Sequence, residues 1–448
     1  MPLFIAAQHN HSASPAWLAA RLATALAWLA HLSLADAQNP AWLLPNLIAC
    51  AALPLLYWRP AFAWPLLALA ALHPLLFGGD VLTQSTLLAL WAASAAIAHM
   101  IRQPDDALTT WRLSTAATYA LAAWHKLNTG WMDPDTSCAL YGWREVADHL
   151  HLPHTLAPPG LPILILATEA AIALLLLTGR HRAAWPIACA LHLTMTWTLA
   201  PAFALVMLAG HTAFLTARDL DDLTTRLRAH KATLLALTSL GVLTTCLLHR
   251  GPPDDLTMLP REALLWALLW LTLPDLRLVT SQRPPRARWA AALALAFILR
   301  AAAAPYLGLE VQHSAAMLSN LRIDRGCWNH LLVPEAVRLR DDYIRIDHAS
   351  LGAPDRHPAQ RDALLGELWD VPRLRTAAHN WCKAASAHPI SLSGTAHGDA
   401  FTIENLCAPG ALDALSSRAG MFGGPERFPR YLRFQKNLTR ACPTACIH

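Results

Sequence analysis

Charge is what this sequence has least of. Charged residues fill 15% of the 448 positions, against roughly 25% in a typical soluble chain, which argues against an ordinary water-soluble globule. The net charge of +5 is scattered over short loop clusters. With no long basic run, nucleic acid is not an expected partner. Residues 1–15 lack the basic start and small-residue cleavage pattern of a secretory leader, so the first apolar segment is expected to act as the insertion signal. No internal repeat is visible and no charged network recurs between apolar runs, which ranks a transporter last. The histidines within those runs, His73, His99, His192 and His211, offer no pair at metal-ligand spacing.

What the chain has in abundance is apolar sequence: 55% hydrophobic residues and a mean hydropathy of +0.31. Runs long enough to cross about 30 Å of hydrocarbon are read at 16–35, 41–57, 61–77, 81–101, 107–126, 161–178, 184–200, 201–217, 232–248, 261–276 and 289–305. The eighteen tryptophans fit lipid–water boundaries, where indoles settle. The expected fold is therefore mostly α. A polytopic helical membrane domain of about 9–11 spans over 1–305 precedes a β-containing extracytoplasmic soluble domain over 306–448.

Orientation follows from the basic residues. Loops after even-numbered runs carry Arg59, Arg102, Arg180 and Arg182, a cluster over 218–231 and another over 277–288. Loops after odd-numbered runs carry Arg144, Arg250 and Arg261. By the positive-inside rule the N-terminus is expected in the cytoplasm, and residues 306 onward outside.

From 306 the charged residues become frequent and turn sequences fall at 352–354 and 423–425. Ile344-Arg345-Ile346-Asp347 alternates as a half-exposed strand does. Cys50, Cys189 and Cys246 sit in or beside apolar runs. Cys138, Cys327, Cys382, Cys407, Cys442 and Cys446 fall on the expected outer face, an even set that suggests disulfides, with the connectivity open. Cys442, Cys446 and His448 are an alternative metal set, though no second ligand pair stands at metal spacing.

One stretch stands out: Trp124-His125-Lys126-Leu127-Asn128, continuing through Gly130-Trp131-Met132-Asp133-Pro134 to Ser137-Cys138. A lysine at the end of an apolar run has two readings. Its stem lies along lipid and its ammonium reaches the headgroups, or it belongs to a site. The wording around it resembles the horizontally transferred transmembrane family, whose best-known member is vitamin K-dependent gamma-carboxylase. Two further stretches carry the resemblance. One is Met317-Leu318-Ser319-Asn320-Leu321-Arg322 followed by Asn329-His330-Leu331-Leu332-Val333-Pro334. The other is Tyr431-Leu432-Arg433-Phe434 with the closing Cys-x-His.

The resemblance implies a lysine base, matching Lys126, with His125 and Asn128 beside it. Such a base deprotonates a reduced quinone (vitamin K hydroquinone or menaquinol-like). Oxygen and carbon dioxide then serve as co-substrates to carboxylate a peptide or small substrate, with no metal expected. Removing a lysine from water favours its neutral amine, the form a base must have. Trp124, Trp131 and Asp133, with Asn320, Arg322, Asn329 and His330, form the expected substrate-binding set. Arg322 is placed to take a carboxylate bidentately. The other reading of these residues is that the asparagines cap turns and Arg322 pairs with Asp324 or a lipid phosphate. The partners implied are the bilayer, the quinol and a secreted precursor peptide.

The sequence departs from the carboxylases in two respects, the first being that asparagine replaces the aspartate of the vertebrate lysine motif, at Asn128. Second, their Asn-His pair in an earlier span has no counterpart in Asp80-Val81-Leu82-Thr83-Gln84-Ser85-Thr86. The alternative function is a non-catalytic membrane factor assisting maturation or export of a partner protein.

Overall fold

The computed structural model describes residues 14–31, 40–77, 83–196, 201–248, 259–273, 287–308, 314–316, 318–339, 343–350, 362, 364–369, 371–384, 389–396, 398–415, 438–443 and 446. Residues 80–82, 317, 352–354, 423–425, 431–434 and His448, which figured in the expectations above, lie outside them.

Helices come first in the chain: α1 (Pro15–His31), α2 (Pro40–Trp58), α3 (Pro60–Phe77), α4 (Thr83–Met100), α5 (Ala107–His125), the single turn α6 (Thr129–Met132), and α7 (Cys138–Leu150). Then follow α8 (Leu161–Leu177), α9 (His181–Thr196), α10 (Pro201–Thr212), α11 (Ala217–Leu248), α12 (Leu259–Thr272) and α13 (Arg288–Ala303). Four of these helices begin on proline, where the missing N–H costs nothing. At α11, Thr216 and Asp219 form a reciprocal cap: Asp219 Oδ2 accepts from the Thr216 amide at 2.7 Å, and Thr216 Oγ1 from the Asp219 amide at 3.2 Å.

The expectation of a multi-pass membrane domain, with an inside N-terminus and an extracytoplasmic C-terminal domain, is overturned. Among the described residues no helix is long and apolar enough to cross a membrane. A span needs about 20 apolar residues, and the longest of these helices after α11 reach 19. The 32-residue α11 has charged residues along its first half and leaves helical geometry at His230. The runs read at 184–200 and 201–217 become α9, ending at Thr196, and the 12-residue α10.

Contacts divide the chain into two compact units. The first is Met1–Leu72, Gln84–Ala123 and Ala139–Leu299; the second is His73–Thr83, Trp124–Cys138 and Arg300–His448. In the first, α1 packs on α10, and α9 on α8, α10 and α12. Trp17, Trp64, Trp91 and Trp111 are fully buried rather than set at a boundary. Trp91 stacks on Trp111 at 5.3 Å and donates to Ser114 Oγ at 2.8 Å. Tyr119 Oη meets His192 Nε2 at 2.7 Å and His211 Nε2 at 3.1 Å, which anchors both buried rings at one nitrogen while each Nδ1 stays unpartnered among the described residues. Leu22, Phe62, Ile163, Leu174 and Leu235 stand exposed on this unit's helices.

The second unit contains β1 (Ile344–Ser350), β2 (Glu367–Trp369), β3 (Ser391–Ala396), β4 (Asp399–Ile403), β5 (Leu438–Thr439) and the helix α14 (Val371–Ala384). The sheet runs β4-β3-β1-β2-β5, antiparallel throughout. Ile344 and Ile346 point into a core with Leu364, Trp369, Leu374, Ala378 and Leu392. The β1–β3 register shifts between Ile346 and His348, and Gly394 sits opposite. A Cβ on Gly394 would run into the Arg345 carbonyl, so glycine is required there. The Cys382–Cys407 disulfide ties α14 to the segment after β4.

Candidate functional site

The second unit gathers the whole 124–138 stretch and the 314–333 segment. They meet along the backbone. Thr129 donates to Asn329 O at 3.0 Å, Leu331 donates to Leu127 O at 2.9 Å, and Asn128 bridges His330 as an isolated antiparallel pair. Two pieces some 200 residues apart thus form one short ribbon that brackets Asn128, just after the lysine.

Lys126 follows the last residue of α5. It is 4% exposed, with Nζ 5.1 Å from the centroid of the buried Trp131 ring, an attraction that a ring face offers a cation. Asn128 caps α6. Its Oδ1 accepts from the Trp131 amide at 2.8 Å, and its Nδ2 donates to His125 O at 2.7 Å and Ser319 O at 2.6 Å. Asp133 ends the same turn, accepting from the Asp135 and Thr136 amides. Asn320 accepts from the Cys138 amide and donates to Thr136 O, both at 2.7 Å. Asn329 donates to Asn320 O at 2.7 Å and accepts from the Arg322 amide at 2.8 Å. Three asparagines on two segments form one continuous net under the lysine loop.

Gly130 belongs to this net. A Cβ there would lie 3.0 Å from Asn329 Nδ2 and 3.3 Å from Asn320 Cβ and O. Opposite it the backbone takes left-handed values at Ala315, Leu318 and Asn320, with φ 62°, 56° and 56°. Asparagine tolerates that region, whereas alanine and leucine rarely enter it.

Both histidines are neutral and spoken for. His125 Nε2 donates to Ser314 O at 3.0 Å, leaving Nδ1 to accept from Tyr306 Oη at 2.8 Å. Full burial takes its pKa down to about 3. His330 Nδ1 accepts from the Leu332 and Val333 amides, and Nε2 donates to Trp124 O at 3.2 Å; burial lowers its pKa too. Trp124 faces His330 at 5.2 Å and packs on the cluster of Tyr306, Ala316, Leu321 and Ile323.

Arg322 is paired inside the protein. Nε and Nη2 reach Asp324 Oδ1 and Oδ2 at 2.7 and 2.8 Å, and Nη1 donates to Ala441 O at 3.1 Å. Burial alone would lower the guanidinium pKa, but the Asp324 carboxylate outweighs it and raises it. Cys446, offered above as a metal ligand, is bonded to Cys138, which fixes the far end of the lysine stretch. Among the described residues no group of three His, Cys, Asp or Glu side chains could hold a metal ion.

All ten residues singled out from sequence therefore lie in one unit. Sequence reasoning missed Tyr306, Ser314 and Ser319. Ser319 stands inside the quoted motif, whereas Tyr306 and Ser314 are 181 and 189 residues from the histidine they hold, and no local pattern marks them. Compared with known proteins, the chain matches no family model, no curated protein and no solved structure. The resemblance at 124–138 rests on its own residues.

Proposed function

We propose that the protein is an enzyme in which Lys126 acts as a general base toward the acidic hydroxyl of a reduced quinone. The observation that carries this reading is the placement of one amine. Lys126 is removed from water beside an aromatic face, directly before a stretch whose backbone at Leu127 and Thr129 is held by a second segment. A base needs a fixed position within reach of the proton it takes. For a flat apolar ring with an ionisable hydroxyl, the buried Trp131 ring beside Lys126 and the partly buried Trp124 and Trp328 packed on Tyr306 would offer aromatic surface, and Lys126 the proton acceptor. A bound reduced quinone supplies the acidic O–H and the electrons that oxygen can accept. Lys126 takes the proton at Nζ, Asn128 and Asn329 hold the turn, and His125, neutral, fixes the end of α5 through Tyr306 and Ser314.

A second reading is favoured by a different observation. The polar groups around Lys126 are largely used in holding one another, and Arg322 is paired with Asp324. On that reading the unit is a non-catalytic scaffold that assists a partner protein.

The deciding experiment incubates the purified full chain with menaquinol or vitamin K hydroquinone and oxygen, and follows quinol consumption and epoxide. The expected result is turnover that Lys126→Met and Lys126→Arg each reduce by about 100-fold or more, with folding retained. Arginine stays protonated and cannot serve as a base. An active Lys126→Arg variant would end the base reading, and a well-folded wild type inert toward both quinols would favour the scaffold.

A further inference from the structure

Arg322 brings together the two segments that carry Cys327 and Cys442, which lie outside the two disulfides among the described residues of the second unit. The Cys327 amide donates to Asp324 O at 3.2 Å, and Cys442 follows Ala441, whose carbonyl accepts from Arg322 Nη1 at 3.1 Å. Because Arg322 also grips Asp324 through both carboxylate oxygens, one guanidinium holds the backbones that carry both cysteines. Cys442 is exposed and Cys327 partly so. Sulfurs elsewhere in the same unit are already joined, as Cys138–Cys446 and Cys382–Cys407.

We propose that Cys327 and Cys442 form a reactive dithiol that closes to a third disulfide by exchange with an external disulfide of the glutathione class. Cys442, the exposed member, attacks the external S–S bond as a thiolate. A mixed disulfide forms and one thiolate leaves. Cys327 then loses its proton to solvent and attacks Cys442 Sγ, expelling the second thiolate. The pair gives up two electrons and two protons, and the external disulfide becomes two thiols. Burial, with the Cys442 contact and the Asp324 charge adding to it, pushes the Cys327 thiol up to about 12. The greater exposure of Cys442 assigns the first attack to it. Once closed, the bond ties the 318–333 segment to the same C-terminal stretch that Cys446 already ties to the lysine loop.

Peptide mapping of the full chain tests this. Trypsin releases Cys327 on 326–338, Cys138 on 127–144, and Cys442 with Cys446 on 441–448. After equilibration with glutathione disulfide, acid quench and alkylation, the expected product is one assembly of all three peptides. In reduced glutathione it should lose 326–338, leaving 127–144 linked to 441–448. Cys442→Ser should alkylate Cys327 under oxidising conditions while the Cys138–Cys446 link remains. Peptide 326–338 alkylated in oxidised wild type with that link intact would overturn the proposal. So would a three-peptide assembly that survives Cys442→Ser or resists reduced glutathione.

Discussion

Arg322 illustrates what a single side chain can be asked to do. From sequence it had two roles, a fork for a substrate carboxylate or a partner for Asp324. In the structure both residues are buried and the fork is closed on Asp324. Removing one member of such a pair leaves an uncompensated buried charge, at a cost of about 3–5 kcal/mol. Arg322→Met is therefore expected to lower the unfolding free energy by roughly that amount, and Asp324→Leu in addition to restore much of it, as a denaturant double-mutant cycle measures. A substrate-binding arginine would behave otherwise, raising KM with stability unmoved. The Asp324 partner was legible because it stands two residues away. The Ala441 carbonyl, 119 residues on, was not, since nothing local encodes it.

The ribbon of 127–129 against 329–331 is the element on which the lysine turn depends, and Gly130 is its tightest point. Gly130→Ala must push Asn329 or Asn320 aside, an overpacking expected to cost about 1–3 kcal/mol. Hydrogen exchange at the Thr129 and Leu331 amides, both bonded across the ribbon, should accelerate correspondingly. Gly366→Ala is the control, since nothing lies within 4 Å of a Cβ there. Equal exchange in both variants would count against the ribbon as a stabilising joint. Among the elements, β1 could be read in advance because Ile344 and Ile346 alternate with polar neighbours, and both are buried. The three-residue β2 and two-residue β5 are too short to carry a pattern. The helices misled for another reason: an apolar run records what a segment avoids, not where it turns. The 34 uncharged residues at 184–217 look continuous in sequence, yet α9 and α10 divide them.

Across the whole molecule, stability should depend on three buried neutral histidines. Burial lowers His125 and His211 to about 3 and His192 to about 4, against 6.5 in the unfolded chain. Below pH 6.5 the unfolded chain binds protons that the folded one refuses. Stability is therefore full above that value and is lost as pH falls toward 4 and then 3, by up to about 1.4 kcal/mol per pH unit per histidine. The denaturant midpoint should be lower at pH 5 than at pH 7.5, and the difference should shrink in His125→Gln. A midpoint independent of pH over that range would mean these rings are not held neutral. The ribbon around Lys126 also carries a consequence in time. Asn128 is synthesised 201 residues before Asn329, which holds it. At 5–20 residues per second that is an interval of roughly ten to forty seconds. Throughout it the nascent lysine turn has no mate, and any helper that guards the half-made protein has only that interval in which to act.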